Sequence, residues 1–410
     1  MPPTTRDLYL PGKALTHVEV LAALANAGVL GLPADLRMVN AHVAAETFFH
    51  PSGIATFTAW ALDAQRRGKQ IYLKGDPRVL SYLARMDVFR ALSLPYREHF
   101  QRQAEGGRFT PVQLIEHADS VRKAVNAVCD MVLSQFDDVR GLLPALEWAV
   151  AEIVDNVRSH AASPSAGVLM AQYYEQTRHL HLAIVDRGVG IRQSLGVAHP
   201  TATHVEAIRM AWQRGVTRDL AVGQGNGLAG AREIAHVNSG QLELWTGDTS
   251  VRAGGRRVVT LPFFQGTGVR LLLDVSRPVD LRQTFIQSPA MHFIEVENER
   301  IAEIGSLSVH QAVPHCLSRE VATPLRRKVL NLLPDADVPL VLNFKGVKIA
   351  TSSFMDELLG RMAAQLGLAA FRQQVRLVGL RPDLHAMAEV VIAQRLDHPT
   401  APASDAPISP

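Results

Sequence analysis

Apolar and polar positions alternate along the chain in strand-like and helix-like runs, and their order divides it into three blocks. In the first block, residues 1–108, two strands alternate with two helices. The strands are RMVNAHV and QIYLKG, and the helices lie in FFHPSGIATFTAWALDAQRRGK and DPRVLSYLARM, with Asp76 and Pro77 as N-cap and first helical residue. This alternation predicts an α/β layer structure.

The middle block, residues 109–276, combines helices with strands that close the block. We expect helices over VQLIEHADSVRKAVNAVCDMVL, AEIVDN and GLAGAREIAHV, and strands over LHLAIVD, GQLELWTG, RRVVTLP and GVRLLLDV. The pattern predicts helices packed on one mixed or antiparallel sheet.

The third block, residues 277–396, repeats the alternation of the first. We expect strands at HFIEVE, PLVLNF and QVRLVGL, and helices at ATPLRRKVLNLL and SSFMDELLGRMAAQLG between them. In both outer blocks a strand end, a turn of small residues, a helix and a strand follow one another. We therefore predict two copies of one domain type flanking a different domain. Residues 397–410 are rich in Pro, Ala and Ser and predict a disordered tail.

Composition narrows the class of protein. A chain of 410 residues with 47% hydrophobic and 20% charged residues predicts globular domains, and a net charge of +3 gives no reason to expect a nucleic-acid partner. Only two cysteines are present, which favours a reducing compartment. No apolar run is long enough for a membrane span, and no signal peptide is apparent at the N-terminus, so we expect a cytoplasmic protein without a membrane partner.

Three motifs in the middle block carry candidate chemistry. In AEIVDNVRSHA, Glu152 and Asn156 lie one helical turn apart, away from the apolar stripe. In DRGVGI, Asp186 ends an apolar strand and is followed by two glycines. In GQGNGL, a glycine-rich turn enters a helix. The glycines of these two motifs are Gly188, Gly190, Gly223, Gly225 and Gly227.

These residue types match the parts of a nucleotide. A carboxylate at a strand end can accept a hydrogen bond from an adenine amino group, and Gly188 and Gly190 leave room for the base. Backbone amides of a glycine-rich turn at a helix start can hold phosphates. Asn156 offers a neutral oxygen to Mg²⁺, and Glu152 can act as a general base on a water or hydroxyl.

Together the motifs resemble the ATP-binding domain shared by gyrase, the ninety-kilodalton chaperone, histidine kinases and mismatch-repair ATPases, the GHKL or Bergerat fold. EIVDN is similar to its N-box, DRGVG to its G1 box, GQGNGL to its G2 box, and Gly266-Thr267 to its closing Gly-Thr pair. The resemblance covers about 140–275. It implies a central α/β sandwich, adenine on Asp186, Mg²⁺ on Asn156, Glu152 as catalytic base, cofactor contacts at Thr267, and a mobile lid over 192–222.

The chain departs from that family in its basic residues. No lysine lies between Lys123 and Lys328, whereas hydrolysing gyrase-like members use one on the terminal phosphate. An arginine would replace it here, or a lysine from a flanking domain or second chain. The candidate arginines are Arg192, Arg214 and Arg218. His117 alone could mark a histidine-kinase phosphoacceptor helix, so we do not expect that activity.

The flanking blocks resemble STAS domains, the sulfate-transporter and anti-sigma-factor-antagonist fold. The evidence is HPSGI with RRGKQIYLKGDPRVLSYLARMDVFRAL in the first block and PLVLNFKGVKIATSSFMDELLGRM in the third. In phosphorylatable members a serine in Asp-Ser-Ser-Gly is the kinase target. Ser352 takes that position here and is the candidate phosphoacceptor, whereas the first block has Pro51.

The sequence therefore predicts an α/β (α+β) protein in which a GHKL domain lies between two STAS-like domains. We expect a Mg²⁺-ATP-binding signalling protein in which slow hydrolysis drives a lid-closure switch. Two alternatives stay open: a protein serine/threonine kinase resembling anti-sigma factors, acting on a STAS domain, and a non-catalytic nucleotide sensor controlling assembly. The implied partners are ATP and a STAS-type protein or the chain's own flanking domains, with homodimerisation left open.

Overall fold

The computed structural model describes most of the chain. The described residues are 4–99, 102, 108–136, 141–196, 198–213, 216, 227–280, 284, 306–333 and 339–397. They fall into two compact units, the first formed by Met1–Trp212 with Ala231–Val279 and the second by Gln213–Gly230 with Asp280–Pro410. Among the described residues, no helix combines the length and the apolar character needed to cross a membrane.

The first unit begins with a parallel sheet and its helices. Its elements are β1 Thr4–Leu10, β2 Ala14–Leu15, α1 His17–Asn26, β3 Leu36–Val43, β4 Phe48–Phe49, α2 Pro51–Arg66, β5 Gln70–Gly75, α3 Pro77–Arg85 and α4 Val88–Ala91. The sheet has the order β1-β3-β5, and both strand pairs are parallel. Asp76 caps α3 by accepting the Arg78 and Val79 amides, and Pro77 is its first residue, as predicted.

A five-stranded antiparallel sheet follows in the same unit. Its elements and the adjoining helices are β6 Phe109–Ile115, α5 Ala118–Leu133, α6 Leu143–His160, β7 Gly167–Tyr174, β8 His179–Val185, α7 Ile191–Leu195, α8 His204–Ala211, α9 Gly227–Val237, β9 Gln241–Arg252 and β10 Val258–Asp274. Only the part of α9 from Ala231 onwards belongs to this unit. The strand order is β6-β7-β8-β10-β9, and every neighbouring pair is antiparallel. The mixed α/β class expected from the sequence is confirmed.

Two local predictions in this block are wrong. Residues 112–115 belong to strand β6, and the helix predicted there starts only at Ala118. The segment is buried along most of its length and pairs with β7, so its apolar run is that of a strand buried on both faces. The sequence predicts separate strands at RRVVTLP and GVRLLLDV, but most of both segments lies in the single strand β10, whose pairing with β9 is irregular in the middle.

Helices cover both faces of the antiparallel sheet. Val168 and Met170 of β7 join the hydrophobic core that includes α1 and α2, and α2 packs on β7 and β8. Gly167 lies on the opposite face, where a Cβ atom would come within 2.5 Å of the Val157 side chain on α6. The predicted boundary at residue 108 thus falls inside one compact unit, and the division of residues 1–276 into two domains stays a prediction.

The second unit contains another parallel sheet. Its elements are β11 Ser306–Ser308, α10 Val309–Ala312, α11 Arg319–Leu332, β12 Leu340–Asn343, α12 Ser352–Met355, a π-helical turn Asp356–Gly360, α13 Arg361–Leu366, α14 Leu368–Gln374, β13 Val375–Val378 and α15 Pro382–Asp397. The order β11-β12-β13 is parallel and matches the topology β1-β3-β5. HFIEVE and residues 398–410 lie outside the described residues.

Buried ion pairs organise the helices of the second unit. Both carboxylate oxygens of Asp356 lie 2.6 Å from guanidinium nitrogens of Arg395 on α15. A nitrogen of Arg319 on α11 lies 3.3 Å from Asp356 Oδ2. The side chains of Asp356 and Arg395 are at most 3% exposed, so Asp356 joins three helical segments in the interior.

We predict that Asp356→Asn destabilises the second unit by about 3–5 kcal/mol, because removing one partner leaves buried guanidinium groups short of a negative charge. All four tryptophans belong to the first unit, so far-UV circular dichroism and hydrogen exchange of the α15 amides should report the loss, with little change in tryptophan fluorescence. Asp383→Asn is the control. Its pair with Arg381 is partly exposed, and we expect a cost of at most about 1 kcal/mol. Equal costs for the two variants would contradict the prediction.

Candidate functional site

The side chain of Asp186 is fixed by backbone amides at the end of β8. Its Oδ1 atom accepts hydrogen bonds from the Gly188 N–H at 2.7 Å and from the Thr267 N–H at 3.3 Å. Its own N–H donates to the Thr267 carbonyl at 2.9 Å. Among the described residues only Oδ1 accepts a hydrogen bond, which leaves Oδ2 available to a donor from a ligand.

Burial determines the charge behaviour of Asp186. The side chain is only 3% exposed, and desolvation raises its pKa to about 6. The amides of Gly188 and Thr267 and the charge of Arg187 oppose this rise. Near neutral pH the site therefore presents a buried, oriented carboxylate that gains from a new hydrogen-bond donor.

Glycines allow three segments to meet at this carboxylate. A Cβ atom on Gly188 would lie 2.0 Å from the carbonyl oxygen of Ala161, the residue that ends α6. Gly266 has φ of +118°, and a Cβ there would lie 2.2 Å from the carbonyl oxygen of Asp186. The loop after β8, the end of α6 and strand β10 can approach this closely only because both positions lack side chains.

Further hydrogen bonds hold the remaining predicted residues of this loop. Gly190 has φ of +78° and precedes α7, whose first residue Ile191 donates its N–H to Thr246 Oγ1 at 3.4 Å. The same hydroxyl donates to the Gly266 carbonyl at 2.7 Å. Thr267 itself contacts Asp186 through backbone atoms, and its side chain is half-buried.

The helix that carries Glu152 and Asn156 ends at the same loop. The Val189 N–H donates to the Ala161 carbonyl at 2.8 Å, which ties α6 to the Asp186 loop. Asn156 and Glu152 precede Ala161 by about 7.5 and 13.5 Å along the helix axis, at about 1.5 Å per residue. Asn156 is half-buried and Glu152 is 4% exposed, so the polar face noted in the sequence is not a solvated one.

Several predicted residues cannot be compared with this geometry. Gly223, Gly225, Arg214 and Arg218 lie outside the described residues, and so does part of the predicted lid. Gly227 is the first residue of α9. Arg192 is exposed on α7 and donates to the Thr201 carbonyl at 3.1 Å.

The candidate phosphoacceptor lies in the second unit. Ser352 is the first residue of α12 and is 9% exposed. Thr351, not Ser352, caps this helix, because Thr351 Oγ1 accepts the Phe354 N–H at 3.1 Å. Transfer of a phosphoryl group to Ser352 would therefore require this turn to open.

Sequence reasoning missed an ion pair beside Asp186. Arg187 is 4% exposed, and its side chain reaches Asp63 on α2, which is fully buried. Arg187 stands inside the recognised DRGVG motif, but its partner is 124 positions away along the chain. No local sequence pattern indicates that Asp63 is buried and paired, because it resembles any polar residue of an amphipathic helix.

Comparison with known proteins identifies one part of the chain. Residues 321–385 match a family described as a STAS-like domain of unknown function (DUF4325). The prediction of a C-terminal STAS-like domain is confirmed over these residues. A search of curated proteins finds no match to the chain. The GHKL resemblance and the ATP site stay predictions.

We predict that Asp186→Asn raises the stability of the first unit at pH 8 by up to about 3 kcal/mol. The native pKa is about 6 and the ordinary value is 3.8, a difference of about two units at about 1.4 kcal/mol each. Since the native state binds the proton more tightly, ionised Asp186 costs stability above pH 6, and the cost fades as the pH falls towards 4. Asparagine keeps an oxygen for the two amides.

Tryptophan-monitored thermal unfolding at pH 4.5, 6 and 8 measures this effect. The advantage of the variant should shrink steadily from pH 8 to pH 4.5. Asp7→Asn is a control of opposite sign, because hydrogen bonds from His42 and Asn40 lower the pKa of that exposed carboxyl. A loss of stability in Asp186→Asn that does not depend on pH would refute the raised pKa assigned to Asp186.

Proposed function

We propose that the chain binds Mg²⁺-ATP in a GHKL-type site and that it is a nucleotide-dependent signalling protein. One observation carries the proposal: a buried carboxylate at a strand end, with one oxygen held by two backbone amides and the other available, beside glycines that clear space. This arrangement suits a purine bearing an exocyclic amino group. Supporting it are the order of the three motifs and the antiparallel sheet packed against α6.

In the proposed complex, Asp186 Oδ2 accepts a hydrogen bond from the adenine amino group. The base lies beside Gly188 and Gly190 at the end of α6, and the triphosphate runs along α6 towards Asn156 and Glu152. The amide oxygen of Asn156 would hold Mg²⁺, and the ion would supply positive charge to the phosphates. The resemblance to the G2 box would give the glycines of GQGNGL the role of supplying backbone amides to the phosphates.

We propose that Glu152 activates water for slow hydrolysis. The carboxylate accepts a proton as the water oxygen bonds to the γ-phosphorus, and the bond to the ADP oxygen breaks. An arginine replaces the lysine of the gyrase-like members, and Arg192 is the described candidate. Closure of the segment 192–222 over ATP and its release after hydrolysis would constitute the switch.

The flanking domains suggest what the switch acts on. Residues 321–385 are STAS-like, and the first block repeats the strand order of the second unit, so we propose that it is STAS-like as well. The partner is then a STAS-type surface, on this chain or another. Burial of Ser352 favours ATP hydrolysis over phosphorylation of that serine, and a non-catalytic sensor remains the second alternative.

We predict that Glu152→Gln keeps ATP binding within a few-fold and lowers phosphate release by about 10²- to 10⁴-fold, because the amide cannot accept the proton. The measurement uses the purified full chain with Mg²⁺ and γ-labelled ATP, and follows free phosphate and label on the chain. Glu147→Gln on the same helix is the matched control and should hydrolyse ATP at the wild-type rate.

Each result separates the alternatives. Free phosphate without labelled chain supports the ATPase, and label removed by Ser352→Ala supports the kinase. Binding with neither product supports the sensor. A wild-type chain that binds no ATP would refute the proposed function as a whole.

A further inference from the structure

The arginine inside the DRGVG motif connects the candidate site to the first block. Arg187 follows Asp186, and its Nε and Nη2 atoms each lie 3.2 Å from Oδ2 of Asp63. Both side chains are almost completely buried. Asp63 belongs to α2, the helix that packs on β7 and β8. The ion pair therefore crosses between the first block and the antiparallel sheet.

This pair has a defined geometry. The Nη1 atom of Arg187 donates to the Gln265 carbonyl at 2.9 Å, and its guanidinium lies over the Phe264 ring, 5.0 Å from the centroid. Burial lowers the pKa of Arg187, while the charge of Asp63 opposes the shift. Buried ion pairs stabilise proteins little compared with apolar packing. The pair of Asp63 and Arg187 is therefore better explained as fixing the position of the Asp186 loop relative to α2.

The same contacts extend to the atoms around Asp186. The Gln265 side-chain amide donates to the Gly188 carbonyl at 2.8 Å. The Arg187 N–H donates to Ser163 Oγ at 3.3 Å, just after α6. The peptide 186–188 is thus held from two sides: its backbone by Thr267, Gln265 and Ser163, and the Arg187 side chain by Asp63. Loss of Asp63 would free one side of the loop that orients the carboxylate.

We propose that Asp63 and Arg187 are positioning residues for the nucleotide base, so that the first block sets the affinity of the site. The inference rests on the proposed function, since it concerns the base that Asp186 would bind. It assigns α2 a role that no sequence motif indicates. By linkage, a partner that shifts α2 would change nucleotide affinity, and nucleotide would change the affinity for that partner equally.

The chain provides a matched control on the same carboxylate. Arg67, the residue directly after α2, lies with its Nε atom 3.0 Å from Oδ1 of Asp63 and is 44% exposed. Arg67→Ala removes this outer partner and leaves the inner pair with Arg187 intact. Asp63→Asn and Arg187→Lys instead weaken the inner pair while keeping side-chain size or charge.

The experiment uses the full-length chain and three readouts. These are the dissociation constant of Mg²⁺-ATP, competition by inorganic tripolyphosphate, which lacks a base, and hydrogen exchange of the amides of 186–190 without nucleotide. In Asp63→Asn we expect ATP to bind about tenfold more weakly, within the usual range of coupling between sites. Tripolyphosphate affinity should stay unchanged, and exchange in the loop should be faster. Arg67→Ala should match the wild type in all three readouts.

The outcomes distinguish this inference from the proposed function. If the wild type binds ATP and Asp63→Asn binds it equally well, the inference is overturned and the proposed function stands. If the wild type binds no ATP, the proposed function fails. The exchange measurement still tests the coupling of Asp63 to the loop, and an unchanged rate would overturn it.

A general structural role for Asp63 would weaken ATP and tripolyphosphate alike, and that result would also overturn the inference. If Asp63→Asn does not fold, Arg187→Lys replaces it. This variant keeps a positive charge beside Asp63 but loses one of the two nitrogens on its Oδ2 atom, and it should give the same pattern.

Discussion

The hydrogen bonds that Asp186 Oδ1 accepts from two backbone amides are the interaction on which the proposed site depends. They require the chain to turn tightly at Gly188 and to bring Gly266 of β10 against the Asp186 carbonyl, where no side chain fits. The end of α6 closes the third side through Ala161. Burial raises the pKa of Asp186 to about 6, so the ionised carboxylate costs stability. Under the proposed function, a ligand that donates a hydrogen bond to Oδ2 would offset part of that cost.

The first block is part of this arrangement and not an appendage to it. Its helix α2 covers the face of the antiparallel sheet opposite α6, and residues of both blocks form one hydrophobic core. The buried pair of Asp63 and Arg187 then fixes the loop of the candidate site from that side. The second unit repeats the parallel strand order of the first block, and residues 321–385 of that unit match a STAS-like family.

Local patterns predicted most of the fold and failed for identifiable reasons. Helices α2 and α3 and strand β5 follow from apolar periodicity and capping residues within their own segments. Strand β6 was mistaken for helix because a strand buried on both faces loses its alternation. The order of the three motifs identified Asp186 and the glycines after it as candidate site residues. Burial of Glu152 and the pairing of Asp63 with Arg187 depend on packing between distant segments, which one sequence does not reveal.

Nucleotide selectivity tests the central claim most directly, because guanine presents a carbonyl where adenine presents an amino group. A carboxylate at Asp186 would then face an acceptor and lose its hydrogen bond. Calorimetric titration of the full-length chain with Mg²⁺-ATP and with Mg²⁺-GTP should show that ATP binds. The affinity for GTP should be about a hundredfold or more below the affinity for ATP. Equal affinity for the two nucleotides, or no affinity for either, would contradict the account.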